Sequence, residues 1–222
     1  MRCAAFIFDL DGTLIDSEIL WVEAAEQFLR ERGCAVSRTE ALELVYGHSW
    51  FHVYEAITRR FPGLGTDQPT MTDRMRVHFL RLAGARNLVI PGSVQLLRRL
   101  ATQHPVCVVS GSTRHDVAAG IAMAGVGPLL SFSIAAEDYA RGKPDPECFL
   151  LAARRLAVPP AQCMVFEDSA AGVRAAKAAG MACVALVREG RPRQDVSAAD
   201  LVVRDLTDFD PDCLNPDRCP TA

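Results

Sequence analysis

The sequence predicts an α/β protein: a doubly wound parallel sheet with an inserted all-helical domain, a cap, after the first strand. Short, almost uniformly apolar runs recur along the chain, as expected for strands that are covered on both faces of a parallel sheet. From about residue 90 onward these runs alternate with helical patterns. The interval 16–86 contains amphipathic helical patterns and no strand candidate. We therefore expect 1–15 and 87–222 to form the α/β core and 16–86 to form the cap.

Six predicted strands follow from the apolar runs, and the last of them is short and lies at the sheet edge. They are 4–8, 106–109, 132–136, 163–166, 182–187 and 201–203. In the inserted domain, "SEILWVEAAEQFLRERG" has the apolar spacing of a helix that ends at Gly33. The next helix is expected to open on a capping box formed by Ser37 and Glu40. The Pro- and Asp-rich end from 210 to 222 has the composition of a frayed tail.

Composition favours a folded protein that binds neither nucleic acid nor a membrane. Half of the 222 residues are apolar, and 24 basic against 27 acidic residues leave no basic excess for a phosphate backbone. The longest apolar runs are strand-sized, well below the roughly 20 residues that span a bilayer. The N-terminus is expected to be a core strand rather than a signal peptide. The eight cysteines include no C-x-x-C pair, which favours reduced thiols in a cytoplasmic protein.

Polar residues collect where the predicted strands end. They are Asp9 with Asp11, Ser110 with Gly111 and Ser112, Lys143, and Glu167 with Asp168. In open parallel sheets the ligand crevice lies outside the carboxyl ends of the strands. Each cluster alone is commonly a turn, a helix cap or solvated surface, but their shared position predicts a single site.

The acids of this site require a positive partner. Asp9 and Asp11 are two apart on a strand and share a face, so with the two acids after the fourth strand they form a pocket of four. A site that offers only a few hard oxygen ligands and leaves room for water favours Mg²⁺. Opposite the acids we expect Lys143, the Ser110 hydroxyl and the amides that enter the following helix to hold an anion. A metal beside a bound anion indicates a phosphate site.

Four segments resemble, in order and spacing, the motifs of the haloacid dehalogenase superfamily. They are "DLDGT" (9–13), "VVSGS" (108–112), "RGKPDP" (141–146) and "FEDSAAGV" (166–173). The resemblance is greatest to the branch with a helical cap after the first motif, which contains β-phosphoglucomutase and many sugar-phosphate phosphatases. It covers the core over nearly the whole chain, whereas the cap matches only in its helical character and in the loop near Gly47.

The resemblance implies roles for the acids. Asp9 would be the nucleophile that forms an aspartyl-phosphate, and Asp11 would protonate the leaving group and then deprotonate the attacking water. Mg²⁺ would be bound by the carboxylates of Asp9 and Asp168 and by the backbone carbonyl of Asp11, with Glu167 in support.

The resemblance also implies the phosphate ligands. They would be Ser110, Gly111, Ser112 and Lys143. In the cap, Gly47, His48 and Trp50 lie at a break between helices and are candidates for contacts with the substrate. An ordinary helix start with a packed aromatic residue explains these three equally well.

We therefore expect a Mg²⁺-dependent phosphatase of a small phosphorylated metabolite, with a sugar phosphate or a phosphosugar acid as the first candidate. Two alternatives remain, a phosphosugar mutase and a catalytically silent binding protein on the same fold. In β-phosphoglucomutases a cap histidine helps to couple closure to the general acid, and here that position is Trp21. An indole does not exchange protons at neutral pH, which favours a hydrolase.

Overall fold

The computed structural model describes residues 3–48, 50–207 and 209–210. The chain divides into two compact units, with boundaries between Ile15 and Asp16 and between Leu88 and Val89. We call 16–88 the helical unit and the remainder the core unit. Ser49 and most of the C-terminal end for which fraying was expected, 211–222, lie outside the described residues.

The described residues of the core unit form a sheet of six parallel strands, as predicted. The strands are β1 (Ala5–Phe8), β2 (Val106–Val109), β3 (Phe132–Ile134), β4 (Cys163–Glu167), β5 (Ala182–Leu186) and β6 (Leu201–Val203). Their order is β3-β2-β1-β4-β5-β6, so the chain winds outward in both directions from β1. The third strand is shorter than expected because the Asp138 carboxylate accepts a hydrogen bond from the Ala135 amide and draws the chain into a 3₁₀ turn.

Strand β1 shows why its sequence is apolar without alternation. Phe6 and Phe8 lie in an apolar cluster on one face of the sheet, where the Phe8 ring stacks on Phe166 at 4.5 Å between centroids. Ala5 and Ile7 lie in a second cluster on the opposite face. All four residues are fully buried, so neither face of the strand has room for a polar side chain.

Eight α-helices surround the sheet or form the helical unit in the described residues. They are α1 (Glu18–Glu31), α2 (Arg38–Val45), α3 (Trp50–Arg60), α4 (Gln68–Ala83), α5 (Pro91–Leu100), α6 (Arg114–Ala124), α7 (Glu147–Leu156) and α8 (Ala170–Ala178). Helices α1 to α4 belong to the helical unit and the other four to the core unit. No helix among the described residues has the length and hydropathy needed to cross a membrane.

The helical unit has its own apolar core, in which Phe28, Ile57 and Met71 are buried. One half of the predicted capping box of α2 is shown, since the Ser37 hydroxyl accepts a hydrogen bond from the Glu40 amide at 3.2 Å. The six cysteines in the described part of the chain are free thiols, and four of them are buried.

Candidate active site

The turn after β1 holds the first two acids. The Asp9 amide donates to the Phe166 carbonyl at 2.9 Å, which extends the pairing of β1 with β4 by one residue. Gly12 then adopts a φ of 91°, a conformation that side chains rarely tolerate. A Cβ on Gly12 would also overlap the Asp168 carboxylate. Glycine therefore allows the chain to turn and Asp168 to lie against its backbone.

Lys143 lies among the acids and not opposite them, contrary to the expectation from the sequence. Its Nζ is 2.6 Å from Asp9 Oδ1, 2.6 Å from Glu167 Oε1 and 3.4 Å from the Val109 carbonyl. The side chain is mostly buried, so the ammonium has exchanged water for two carboxylates. The sequence places Lys143 on the right loop, but it does not give the direction of a long side chain.

Glu167 organises the loop that follows β4. It is 1% exposed, and Oε2 accepts hydrogen bonds from the Asp168 amide, the Ser169 amide and the Ser169 hydroxyl at 2.8 to 2.9 Å. A Cβ on Gly172 would overlap this carboxylate, so glycine is required on the facing turn of α8. Because Oε1 contacts Lys143, both carboxylate oxygens have partners within the protein.

The charges of this cluster depend on one another. Burial raises the pKa of the Asp9 carboxyl well above its usual value, and the Lys143 ammonium opposes that shift. Burial alone would lower the pKa of Lys143, but attraction to Asp9 and Glu167 outweighs it and raises the pKa well above its usual value. Lys143 therefore remains charged at neutral pH and balances part of the negative charge around it.

The Asp11 carboxylate is held by the turn after β2. Asp11 Oδ2 accepts hydrogen bonds from the Ser110 hydroxyl at 3.0 Å and from the Ser112 hydroxyl at 2.8 Å. The Ser110 hydroxyl in turn accepts from the Ser112 amide at 3.0 Å. The Ser110 and Ser112 hydroxyls, which were expected to bind phosphate, therefore position the Asp11 carboxylate in this structure.

Three acids lie close enough together to hold a metal ion. Asp9, Glu167 and Asp168 each have one carboxylate oxygen within 4.8 Å of those of the other two. This separation lets the oxygens share one cation, and hard carboxylate ligands suit Mg²⁺. The Asp11 carboxylate is not part of this group, so the expected pocket of four acids is reduced to three.

Tyr139 and Glu147 support the site, and sequence reasoning did not find them. Tyr139, in the loop after β3, donates from its hydroxyl to the Ser110 carbonyl at 3.1 Å. Glu147 accepts hydrogen bonds from the Ala140 and Arg141 amides, both at 3.0 Å, and so braces the loop that carries Lys143. The available signal was position, because both residues flank "RGKPDP" at the carboxyl end of a strand.

The candidate substrate residues of the helical unit lie between α2 and the first turn of α3. Gly47 has a φ of 73°, and its amide donates to Glu18 Oε1 at 3.2 Å. His48 is exposed. Trp50 packs edge-on against Trp21, with 4.6 Å between the ring centroids. This aromatic packing agrees with the interpretation of Trp50 as a packed residue at the start of a helix. The exposed side chain of His48 is accessible.

The carboxylates and the buried lysine at the end of a parallel sheet fit the class of phosphoric monoester hydrolases. The sequence matches the haloacid dehalogenase-like hydrolases over residues 3–180. The chain therefore belongs to this family, as its four motifs predicted, and it is a phosphoric monoester hydrolase.

Similar proteins agree with this class. The chain is 32% identical to validoxylamine A 7′-phosphate phosphatase of Streptomyces hygroscopicus subsp. limoneus, over 91% of this chain and 93% of that protein. It is 31% identical to hexitol phosphatase A of Escherichia coli K12, over 93% of each. The crystal structure of β-phosphoglucomutase from Clostridium difficile has a TM-score of 0.78 at 23% identity and covers 94% of both chains, which shows the shared fold.

Proposed function

We propose that the chain is a Mg²⁺-dependent phosphatase of a small phosphorylated metabolite, acting through an aspartyl-phosphate on Asp9. The observation that carries this proposal is the position of the Lys143 ammonium, 2.6 Å from the Asp9 carboxylate. Lys143 and a bound Mg²⁺ would keep Asp9 ionised against the effect of burial on its pKa, so that this nucleophile needs no base to remove a proton. A phosphoryl group in transfer carries negative charge that a fixed ammonium stabilises. Asp9 and Lys143 together supply both requirements.

In the first step, an Asp9 oxygen attacks phosphorus and the bond from phosphorus to the substrate oxygen breaks. Asp11 gives its proton to that oxygen as it leaves. In the second step, Asp11 accepts a proton from water while the water oxygen attacks phosphorus. The bond to Asp9 then breaks and releases inorganic phosphate. The two serine hydroxyls at Asp11 Oδ2 fix the carboxyl group through both steps.

The carboxylates of Asp9 and Asp168 would hold Mg²⁺, together with the Asp11 backbone carbonyl. Mg²⁺ at this position would offset the repulsion between the acids and the phosphate. Glu167 supports the arrangement because its oxygens already hold Lys143 and the loop that carries Asp168.

For the substrate we propose a sugar phosphate or a phosphosugar acid. The two relatives described above are named for validoxylamine A 7′-phosphate and for hexitol, and both names describe phosphatases. In the helical unit, which we propose to act as the cap, we assign Gly47 and His48 to substrate selection, with Trp50 as the packed residue that positions them. We expect substitutions there to change KM between substrates and to leave the metal requirement unchanged.

The proposal is tested with Asp9→Asn, which preserves shape and removes the nucleophile. Wild-type protein should release phosphate from p-nitrophenyl phosphate and from hexose 6-phosphates when Mg²⁺ is present. The folded variant should release none, because an amide oxygen cannot form the acyl phosphate. Equal turnover by wild type and Asp9→Asn would refute the mechanism.

A phosphosugar mutase is the second candidate, because the chain shares its fold with β-phosphoglucomutase. One observation disfavours it. Trp21 stacks on Phe79 at 4.1 Å between centroids and contacts Trp50, so this indole packs within the helical unit. Its N–H donates a hydrogen bond but does not act as an acid or a base at neutral pH. Conversion of β-glucose 1-phosphate into glucose 6-phosphate faster than phosphate release would decide for the mutase.

A further inference from the structure

The turn that follows β2 is hydrogen-bonded at three points to the segment that contains β3 and the residues after it. The Ser110 amide donates to the Ile134 carbonyl, and the Ala136 amide donates to the Ser112 carbonyl, both at 3.0 Å. The third contact comes from a side chain, since the Tyr139 hydroxyl donates to the Ser110 carbonyl at 3.1 Å. Gly111, at the centre of this turn, is exposed. The first two contacts hold the ends of the turn, and the third holds the peptide between Ser110 and Gly111.

The orientation of that peptide determines whether it attracts or repels an anion. In a planar trans peptide the carbonyl of one residue and the N–H of the next point in opposite directions. With the Ser110 carbonyl held by Tyr139, the Gly111 N–H points away from Tyr139. A flip of this peptide would exchange a donor for a carbonyl oxygen, which repels phosphate. Glycine offers little steric resistance to such a flip.

Tyr139 is suited to hold the peptide in one orientation. Its ring packs against the apolar cluster on the α7 and α8 side of the sheet, so the hydroxyl has a defined position. Burial raises the pKa of Tyr139 to about 12. The hydroxyl therefore stays protonated and remains a donor at any pH at which the enzyme would work.

We propose that Tyr139 is a positioning residue that locks the Ser110–Gly111 peptide with its N–H available to the phosphoryl group. The inference rests on the proposed function and on Gly111 as a phosphate ligand, the role that the family resemblance implies for it. Tyr139 acts through the backbone of the turn and does not itself touch the substrate. The competing explanation is that the ring only fills space, in which case phenylalanine would serve equally well.

The test is Tyr139→Phe, which keeps the ring and removes the hydroxyl. We expect a loss of about tenfold in kcat/KM for p-nitrophenyl phosphate, the effect of one lost hydrogen bond on the binding of an anion. The loss should appear mainly in KM and in weaker binding of inorganic phosphate, measured by calorimetry without turnover. A residue that only packs would not alter phosphate binding selectively.

A matched control is Tyr54→Phe in the helical unit. The Tyr54 hydroxyl donates to the Thr66 carbonyl at 3.1 Å, the same type and length of hydrogen bond as that of Tyr139. We expect this variant to bind inorganic phosphate as tightly as wild type. If Tyr139→Phe also binds phosphate within twofold of wild type, the inference is wrong.

A second variant tests the peptide flip directly. Gly111 is not among the residues with a positive φ. A Cβ on Gly111 would meet only the Tyr139 hydroxyl, at 3.9 Å. Alanine therefore fits the native turn but disfavours the flipped one. When it is added to Tyr139→Phe, Gly111→Ala should restore part of the lost phosphate affinity, and failure to restore any would contradict the flip.

Absence of wild-type turnover would refute the proposed function alone, because phosphate binding still decides the role of Tyr139.

Discussion

Lys143 joins two buried acids, because its Nζ lies 2.6 Å from Asp9 Oδ1 and 2.6 Å from Glu167 Oε1. Asp9 is only 5% and Glu167 only 1% exposed, so little water can replace the ammonium. Removing one partner of a buried ion pair leaves an uncompensated charge, which costs more than the pair itself contributes. Lys143 is therefore expected to serve the stability of the core unit and the chemistry together.

The first prediction concerns Lys143→Ala. We expect kcat/KM to fall by about 10²–10³, the usual loss when one donor to a transition state is removed. The free energy of unfolding should also fall by about 3 kcal/mol, because two buried carboxylates lose their common partner. Phosphate release and urea unfolding of the same protein measure both effects.

Lys177 provides the control, since it is the only other lysine in the sequence. Its Nζ lies 2.6 Å from Asp200 Oδ2, but both side chains are about a third exposed. Lys177→Ala should leave turnover unchanged. It should lower the free energy of unfolding by at most about 1 kcal/mol, as is usual for exposed ion pairs. Equal loss of turnover in both lysine variants would contradict the assignment of Lys143.

The second prediction concerns the carboxylate between the serines. Asp11→Asn should lower kcat by about 10²–10⁴, the contribution of general acid–base catalysis. Ser112→Ala should lower it by about tenfold, because Asp11 Oδ2 loses one of its two hydroxyl donors. Steady-state kinetics with p-nitrophenyl phosphate measures both variants.

Ser93 is the matched control for Ser112. It is fully buried, and its hydroxyl has no hydrogen-bond partner within the described structure. Ser93→Ala should therefore leave kcat unchanged and the stability equal or slightly higher, because the buried hydroxyl no longer lacks a partner. If Ser112→Ala behaves like Ser93→Ala, its hydroxyl does not position Asp11.

The third prediction tests the fit of Glu167 against α8. A Cβ in Gly172→Ala would overlap the Glu167 carboxylate, so either α8 or Glu167 must move. We expect the unfolding free energy to fall by about 1–3 kcal/mol, the usual cost of overpacking, and turnover to fall as Lys143 loses a fixed partner. Gly84→Ala is the control, because Gly84 has a φ of −63° and its Cβ would lie 3.5 Å from the nearest atom. That control should be neutral or slightly stabilising.

These contacts show which features the sequence could predict. Continuous apolar runs predicted the parallel sheet because a strand buried on both faces needs them, and β2 begins and ends at the predicted residues. The positions of Asp9 and Lys143 followed from their place after strands. The direction of the Lys143 side chain did not follow, because four rotatable bonds give it a wide reach. Tyr139 was missed because it matters through one contact with Ser110, which is distant in sequence. Gly172 was missed because the sequence does not show that its turn of α8 faces the Glu167 carboxylate.

The fourth prediction is a loss of stability at alkaline pH. Burial raises the pKa of both Cys148 and Cys163 to about 11, from an ordinary value of 9.0. Unfolded thiols therefore ionise first, so stability is complete below pH 9 and declines as the pH rises toward 11. At pH 10 the raised pKa of each thiol should lower the free energy of unfolding by about 1 kcal/mol relative to pH 7. Urea unfolding at pH 7, 9 and 10 checks this, and Cys148→Ala should show a smaller decline. A stability independent of pH in this range would contradict the prediction.

The last prediction concerns the metal. Asp9, Glu167 and Asp168 bring their oxygens within 4.8 Å of one another, and a bound cation would relieve their repulsion even without substrate. Millimolar Mg²⁺ should therefore raise the melting temperature of the wild-type protein, as any ligand that binds only the folded state does. Chelation with EDTA should abolish both this stabilisation and turnover. Asp168→Asn should need far more Mg²⁺ for the same stabilisation, whereas sodium chloride at matched ionic strength should produce none. Equal stabilisation of wild type and Asp168→Asn at every Mg²⁺ concentration would show that the ion binds elsewhere.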